Sequence, residues 1–266
     1  MTARTSPSAK LLLSANLGFL WTELPLPDAV RAAARAGFDA VELHWPYAVP
    51  APELRAAVEE TGLPVLGLNM SRGDPDKGEF GLAALPGREA DALAAFEQAL
   101  GYARRIDAGN IHVMAGLSEG DAARRTFVAN LRRFRDLAAP YGVTLLLEPI
   151  NNRDVPGYFL SDCDAAAAII SDCGGDGIRI MYDCYHMQIM RGDLVREAAR
   201  MMDLIGHIQF AAVPDRAEPD HGEVDYGWLL PALRDAGYGG CFGAEYKPRA
   251  TTEGGLGWIG RIAPRR

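Results

Sequence analysis

Cysteine is scarce in this chain, and its four copies are scattered: Cys163, Cys173, Cys184 and Cys241 form no C-x-x-C pair. That spacing excludes a disulfide framework and a structural zinc knuckle, and it reads as reduced thiols in a cytoplasmic protein. A basic excess is missing as well. With 27 basic and 35 acidic residues the formal charge is -8, whereas nucleic-acid binders rely on lysine and arginine to displace phosphate counterions. The expected partner is a small molecule rather than a nucleic acid. No apolar run approaches the roughly 20 residues that a membrane span needs. The basic-then-apolar start, MTARTSPSAK before LLLSANLGFLW, does not read as a secretory signal, because Ser14 and Asn16 interrupt the run and no A-x-A-like site closes it. Linkers and low-complexity blocks are absent too, which leaves one domain over residues 11–266 behind a disordered tail at 1–10.

What the sequence does have is alternation. Short β-branched or leucine-rich runs can be counted at 11–17, 40–45, 64–70, 110–116, 143–150, 178–184, 205–211 and 241–247. Between them lie longer alanine-, arginine- and glutamate-rich segments such as PDAVRAAARAG and PELRAAVEETG, opening with proline or aspartate and closing with glycine as helices do. Eight strands with interposed helices specify an α/β protein, a (β/α)8 TIM barrel in a single domain. The rival, an open doubly wound sheet, would advertise a glycine-rich first turn, and LSANLGFLW has none.

Barrels of this kind place their chemistry at the carboxyl ends of the strands. The last polar residues of the eight runs are Asn16, Glu42 with His44, Asn69, His112, Glu148, Asp183, Gln209 and Glu245. Glu148, Asp183, Gln209 and Glu245 end four consecutive strands, and neighbouring strands lie about 4.8 Å apart, so the four side chains can converge. Crowded carboxylates raise one another's pKa unless a cation compensates them. Carboxylate and amide oxygens suit Mg²⁺ or Mn²⁺ better than zinc. Each residue alone reads more simply as a helix cap or a loop ion pair; the case rests on all four together. His186, three residues past Asp183, faces the same cavity if the chain turns there, and otherwise is a loop histidine bonded to backbone. Arg216 and Lys247 supply positive charge for an anionic substrate group, against the plainer reading of surface ion pairs. Trp21, Trp45, Trp228 and Trp258 could line a pocket or the interface of a homo-oligomer, or be simple packing.

The runs LLLEPINNRDVPGYFL, YDCYHMQIMRGDL, GHIQFAAVPDRAEPDHGEVDYGWLL and GAEYKPRATTEGGLGW, with NMSRGDPDKGEFGLAALPGREA and HVMAGL upstream, carry a resemblance. They are similar to the hydroxypyruvate isomerase family of xylose-isomerase-like barrels, over nearly the whole chain from about Ser14 to Trp258. The resemblance implies an aldose–ketose type isomerase working through an enediolate, with hydroxypyruvate and tartronate semialdehyde as the interconverted pair. It implies catalytic roles for Glu148 and Glu245, which would also hold a divalent metal with Asp183 and Gln209. It further implies substrate contacts from His186, Arg216 and Asp154, beside which His112, Glu42 and Lys247 stand as further candidates. A 2-oxo-tetronate isomerase or ketose 3-epimerase would use the same ring on a longer substrate. An endonuclease-IV-like hydrolase would need more histidines and a basic face, and a silent binding barrel would not need paired glutamates. The chain departs from the family pattern at HWPYAVP, residues 44–50, where His44 and Trp45 are expected to reshape the pocket wall. It departs again at IGRIAPRR, which offers little of an eighth helix.

Overall fold

The computed structural model describes residues 10–263. Eight parallel strands close in sequence order into one barrel: β1 Leu13–Asn16, β2 Ala40–Leu43, β3 Val65–Asn69, β4 Asn110–His112, β5 Thr144–Leu147, β6 Ile178–Asp183, β7 Ile205–Phe210 and β8 Phe242–Ala244. The expected (β/α)8 architecture is therefore the observed one. The strands read as unbroken apolar runs because helices cover their outer faces while side chains fill the inside. Of the tail expected at 1–10, residues 1–9 lie outside the described residues, and Lys10 already pairs with Asp39 on the β1–β2 side of the barrel.

The helices are α1 Leu26–Ala36, α2 Ala51–Thr61, α3 Glu89–Ile106, α4 Gly120–Ala138, α5 Cys163–Cys173, α6 Cys184–Met190, α7 Leu194–Met201, α8 Tyr226–Asp235, and two single turns, α9 Thr252–Gly255 and α10 Ile259–Ile262. Their ends follow local chemistry. α1 and α2 start on proline and stop at Gly37 and Gly62, both left-handed; Asp162 caps α5 by accepting from the N–H groups of Asp164 and Ala165. Among the described residues no long helix follows β8. In its place α9 and α10 bring in Trp258, fully buried, whose indole N–H donates to the Tyr246 hydroxyl at 3.1 Å.

The helical layer is held by burial. Phe96 of α3 and Phe134 of α4 stack at 4.3 Å between centroids and 5° between planes, both with no exposed surface. Phe134→Ala is expected to cost about 3–5 kcal/mol of unfolding free energy, read by urea denaturation; a loss under about 1 kcal/mol would show that α3 and α4 do not depend on this stack.

Most strands are shorter than the apolar runs that mark them. Glu148 and Glu245 sit one residue beyond β5 and β8, and the run at 178–184 ends early because the Asp183 carboxylate accepts the Tyr185 N–H at 2.8 Å and starts α6. That cap turns the chain over the barrel mouth, so His186 rides on a short helix rather than a loop.

Candidate active site

Two storeys of polar side chains occupy the carboxyl end of the barrel. The lower one is closed. Glu42 accepts hydrogen bonds from the Ser14 hydroxyl and from Gln209 Nε2 at 2.7 Å, and its Oε1 lies 3.0 Å from His207 Nε2. Burial alone would push the Glu42 carboxyl up, but His207 and the hydrogen bonds overcome it and hold it below the usual range. His207 is correspondingly raised by Glu42 despite its burial, so the two form an ion pair inside the barrel. Room for it comes from Gly243 of β8, where a Cβ would stand 2.4 Å from Glu42 Oε1.

The upper storey opens into a cavity of about 360 Å³. Glu148, Glu245, His112, His186, Arg216, Asp154 and Lys247, all expected at the site from the sequence, line it. Asp183 lies in contact beneath, with no exposed surface, its Oδ2 3.3 Å from Arg216 Nη2 and 3.6 Å from His186 Nε2. Glu42 and Gln209 are not among the residues that line this cavity; with Asn16 they line the inner chamber below it. Glu42, expected among the substrate contacts, is instead placed as the partner that fixes Gln209. Because Gln209 spends its Nε2 on Glu42, its Oε1 is left buried with no hydrogen-bond partner.

The two glutamates live in opposite environments. Glu245 is surrounded by donors: Asn16 Nδ2 at 3.1 Å and His44 Nε2 at 2.9 Å on Oε1, and Arg216 Nη2 at 2.6 Å on Oε2. Burial would raise its pKa, but Arg216 first and His44 second outweigh that and hold it at about 2. Glu148 has no such company; its Oε1 is buried without a hydrogen bond, with His186 Nε2 3.4 Å away. Burial, then Glu245 and Asp183, push its carboxyl well above the usual range. Asp183 is pushed up to about 7, mainly by burial, with Arg216 opposing. The result is two glutamates pushed in opposite directions across a shared cavity, the kind of asymmetry by which acid and base roles are divided between like groups. His112, in the wall, is lowered to about 4 by burial and stays neutral.

Arg216 holds this together from an uncommon backbone position. Its φ is 56°, a left-handed value seldom taken without glycine, secured by bonds from its own N–H to the Ala212 carbonyl at 2.8 Å and from the Lys247 N–H to its carbonyl at 2.7 Å. Not every contributor was signalled by the sequence. Tyr185 meets Asp154, its hydroxyl donating to Oδ2 at 2.8 Å, whereas Asn16, which bonds to Glu245, was already in the ring expected from the strand ends. His44, expected in that ring and as a change to the pocket wall, bonds directly to Glu245. Arg72 lines the cavity with its guanidinium 4.5 Å over the Trp45 ring, and among the described residues neither it nor Lys247 makes an ion pair. Of the other tryptophans, Trp21 and Trp258 are core, and Trp228 is 64% exposed on α8.

One ligand atom from each of Glu148, Asp183 and His186 can be chosen so that all lie within 4.8 Å of one another. Three crowded carboxylates, an orphaned amide oxygen on Gln209 and an orphaned oxygen on Glu148 suit a hard divalent cation, and these are the atoms that could hold one.

Known proteins resemble this chain over nearly its whole length. The sequence model of the xylose isomerase-like TIM barrel family matches residues 30–262. A 2-oxo-tetronate isomerase of Cupriavidus necator is 46% identical over 92% of this chain and 96% of its own length. A mouse protein named "Putative hydroxypyruvate isomerase" is 41% identical over 97% of each. A solved structure from Brucella melitensis, titled an AP endonuclease of family 2, is 39% identical, covers 94% of this chain and 98% of its own, and superposes with a TM-score of 0.90.

Proposed function

The chain belongs to the xylose isomerase-like TIM barrel family, within the group that includes hydroxypyruvate isomerases and 2-oxo-tetronate isomerases, and on that premise we propose that it interconverts hydroxypyruvate and tartronate semialdehyde. The observation that carries the reading is a pair of glutamates facing one cavity in unlike surroundings: Glu245 is fastened by Asn16, His44 and Arg216, while Glu148 is buried with an oxygen that has no hydrogen-bond partner. In the reaction a carbonyl moves from C2 to C3 of a short sugar acid. Glu245 takes the proton from C3 to give an enediolate, Glu148 delivers one to C2, and the hydroxyl proton passes between the two oxygens, so no oxidant or second substrate is consumed. Lys247 and Arg72, the rim cations, face the substrate carboxylate.

Mg²⁺ or Mn²⁺ would be held by Glu148, Asp183, Gln209 and Glu245, in keeping with the orphaned oxygens of Glu148 and Gln209. When bound, such an ion supplies Lewis-acid stabilisation of charge on the substrate oxygens.

A second reading, 2-oxo-tetronate isomerisation, is the same chemistry with a hydroxymethyl group added at C3. It is favoured by a cavity of about 360 Å³, more than a three-carbon acid fills, with Asp154 on its wall to receive a distal hydroxyl. The endonuclease title of the Brucella structure finds little support in this chain, which has five histidines and a formal charge of -8, against the histidine-rich metal cluster and basic face of such an enzyme.

The test is turnover by metal-stripped protein with Mg²⁺ or Mn²⁺ restored, on hydroxypyruvate, a 2-oxo-tetronate and a free ketose. Metal-dependent loss of hydroxypyruvate is expected. Turnover of the four-carbon acid alone would replace the substrate and keep the chemistry; turnover of the ketose alone would overturn the sugar-acid reading.

A further inference from the structure

Asn151, three residues past Glu148, has no exposed surface and an amide whose orientation is fixed by its neighbours. Its Oδ1 accepts from the backbone N–H groups of Arg153 at 3.0 Å and Asp154 at 2.8 Å, which can only donate. Its Nδ2 must therefore be the atom that faces the other way, 2.6 Å from His186 Nδ1 and 3.1 Å from Asp154 Oδ2. The backbone N–H of Asn151 points at the same ring nitrogen from 3.3 Å. Two N–H groups aimed at Nδ1 leave no place for a proton on it, and a neutral imidazole carries its single proton on one nitrogen or the other.

We infer that Asn151 is a positioning residue that sets the tautomer of His186, placing its proton on Nε2. That nitrogen lies 3.4 Å from Glu148 Oε1 and 3.6 Å from Asp183 Oδ2, so it stands among carboxylates as a hydrogen-bond donor. The spacing of Glu148, Asp183 and His186 alone would suit a metal ion, yet metal binding needs a bare nitrogen. Asn151 thus keeps His186 out of the ligand set and leaves an all-oxygen site, which selects against zinc. The same proton is available to a substrate oxygen on which charge develops. The tautomer follows from the hydrogen bonds and stands whether or not hydroxypyruvate is the substrate; its metal consequence rests on the reading above.

The first experiment needs no mutation: long-range proton–nitrogen NMR correlation on ¹⁵N-histidine-labelled protein, with His186 assigned by its loss in His186→Gln. A neutral ring protonated at Nε2 is expected. A ring protonated at Nδ1, or at both nitrogens at pH 7.5, overturns the inference. The second uses Asn151→Asp in an Asp154→Asn background, so that the new carboxylate does not share a proton with its neighbour. An acceptor at 151 draws the His186 proton to Nδ1 and bares Nε2, and zinc affinity by calorimetry is expected to tighten roughly tenfold or more relative to Mg²⁺. An unmoved Nε2 proton in that variant would show that Asn151 does not choose the tautomer.

Discussion

Glu245→Gln and Glu148→Gln are each expected to lower kcat by about 10³-fold, within the range by which a positioned acid or base accelerates proton transfer. The two losses should differ in kind. Glu245 is the ionised member, fastened by Asn16, His44 and Arg216; a glutamine there has no proton-accepting charge and sets its own N–H₂ against these donors. Glu148 is the proposed acid, and a glutamine there leaves the base in place. In deuterated water, Glu148→Gln should still wash the C3 proton of hydroxypyruvate into solvent while forming little product, whereas Glu245→Gln should do neither. Exchange that survives in Glu245→Gln and vanishes in Glu148→Gln would reverse the assigned roles.

Arg216→Met is expected to destabilise the metal-free protein by on the order of 3 kcal/mol, because removing one partner of a buried ion pair leaves the other charge uncompensated. The dependence on pH has a definite sign. Glu245 has a folded-state pKa of about 2 in the presence of Arg216, below its unfolded value, so its contribution is present above that unfolded value and is lost as pH falls toward 2. Asp183, raised to about 7, works the other way and costs stability as pH climbs toward 7. Without Arg216 both carboxylates titrate upward. The deficit of the variant should therefore be largest above pH 7 and shrink below about pH 4, where unfolded-state carboxylates are protonated too. Arg216→Lys should recover part of the stability and less of the activity, since an ammonium keeps the charge but not the planar guanidinium that lies 5.0 Å from the Tyr185 ring and 5.2 Å from the Phe19 ring. A variant as stable as wild type at pH 8 would sink the idea that Arg216 compensates this cluster.

The architecture could be read from the sequence because its signals are local. An apolar run buried on both faces and ended by a polar residue recurs eight times, the first seven times followed by a helix, and each repeat is legible alone. The ring of Glu148, Asp183 and Glu245 followed from it, since the closing order of a parallel barrel fixes which strand tips are neighbours. What was not legible depends on pairs far apart in sequence. His44 meets Glu245 across 201 positions and Gln209 meets Glu42 across 167, and no spacing rule links them. The ring also divides by height: Glu42 and Gln209 lie within their strands and belong to the lower storey, while Glu148 and Glu245, a residue beyond theirs, reach the open one. Strand ends were overrun at 178–184 because a capping aspartate looks, in sequence, like the end of a strand.

The ion pair of Glu42 and His207 has a consequence for anyone who would transplant this site. The chemistry is not a detachable crown of loops. Gln209 owes its aim to Glu42, Glu42 owes its charge to His207 and Ser14, and all of them need the missing side chain at Gly243. A graft that carried only the mouth residues onto another barrel would inherit the vocabulary without the grammar: its amide could turn freely, and the host's valines and isoleucines would fill the space the pair requires. The support alone spans four strands, β1, β2, β7 and β8, down to the middle of the barrel, and it has to travel with the β5 and β6 ends that carry Glu148 and Asp183.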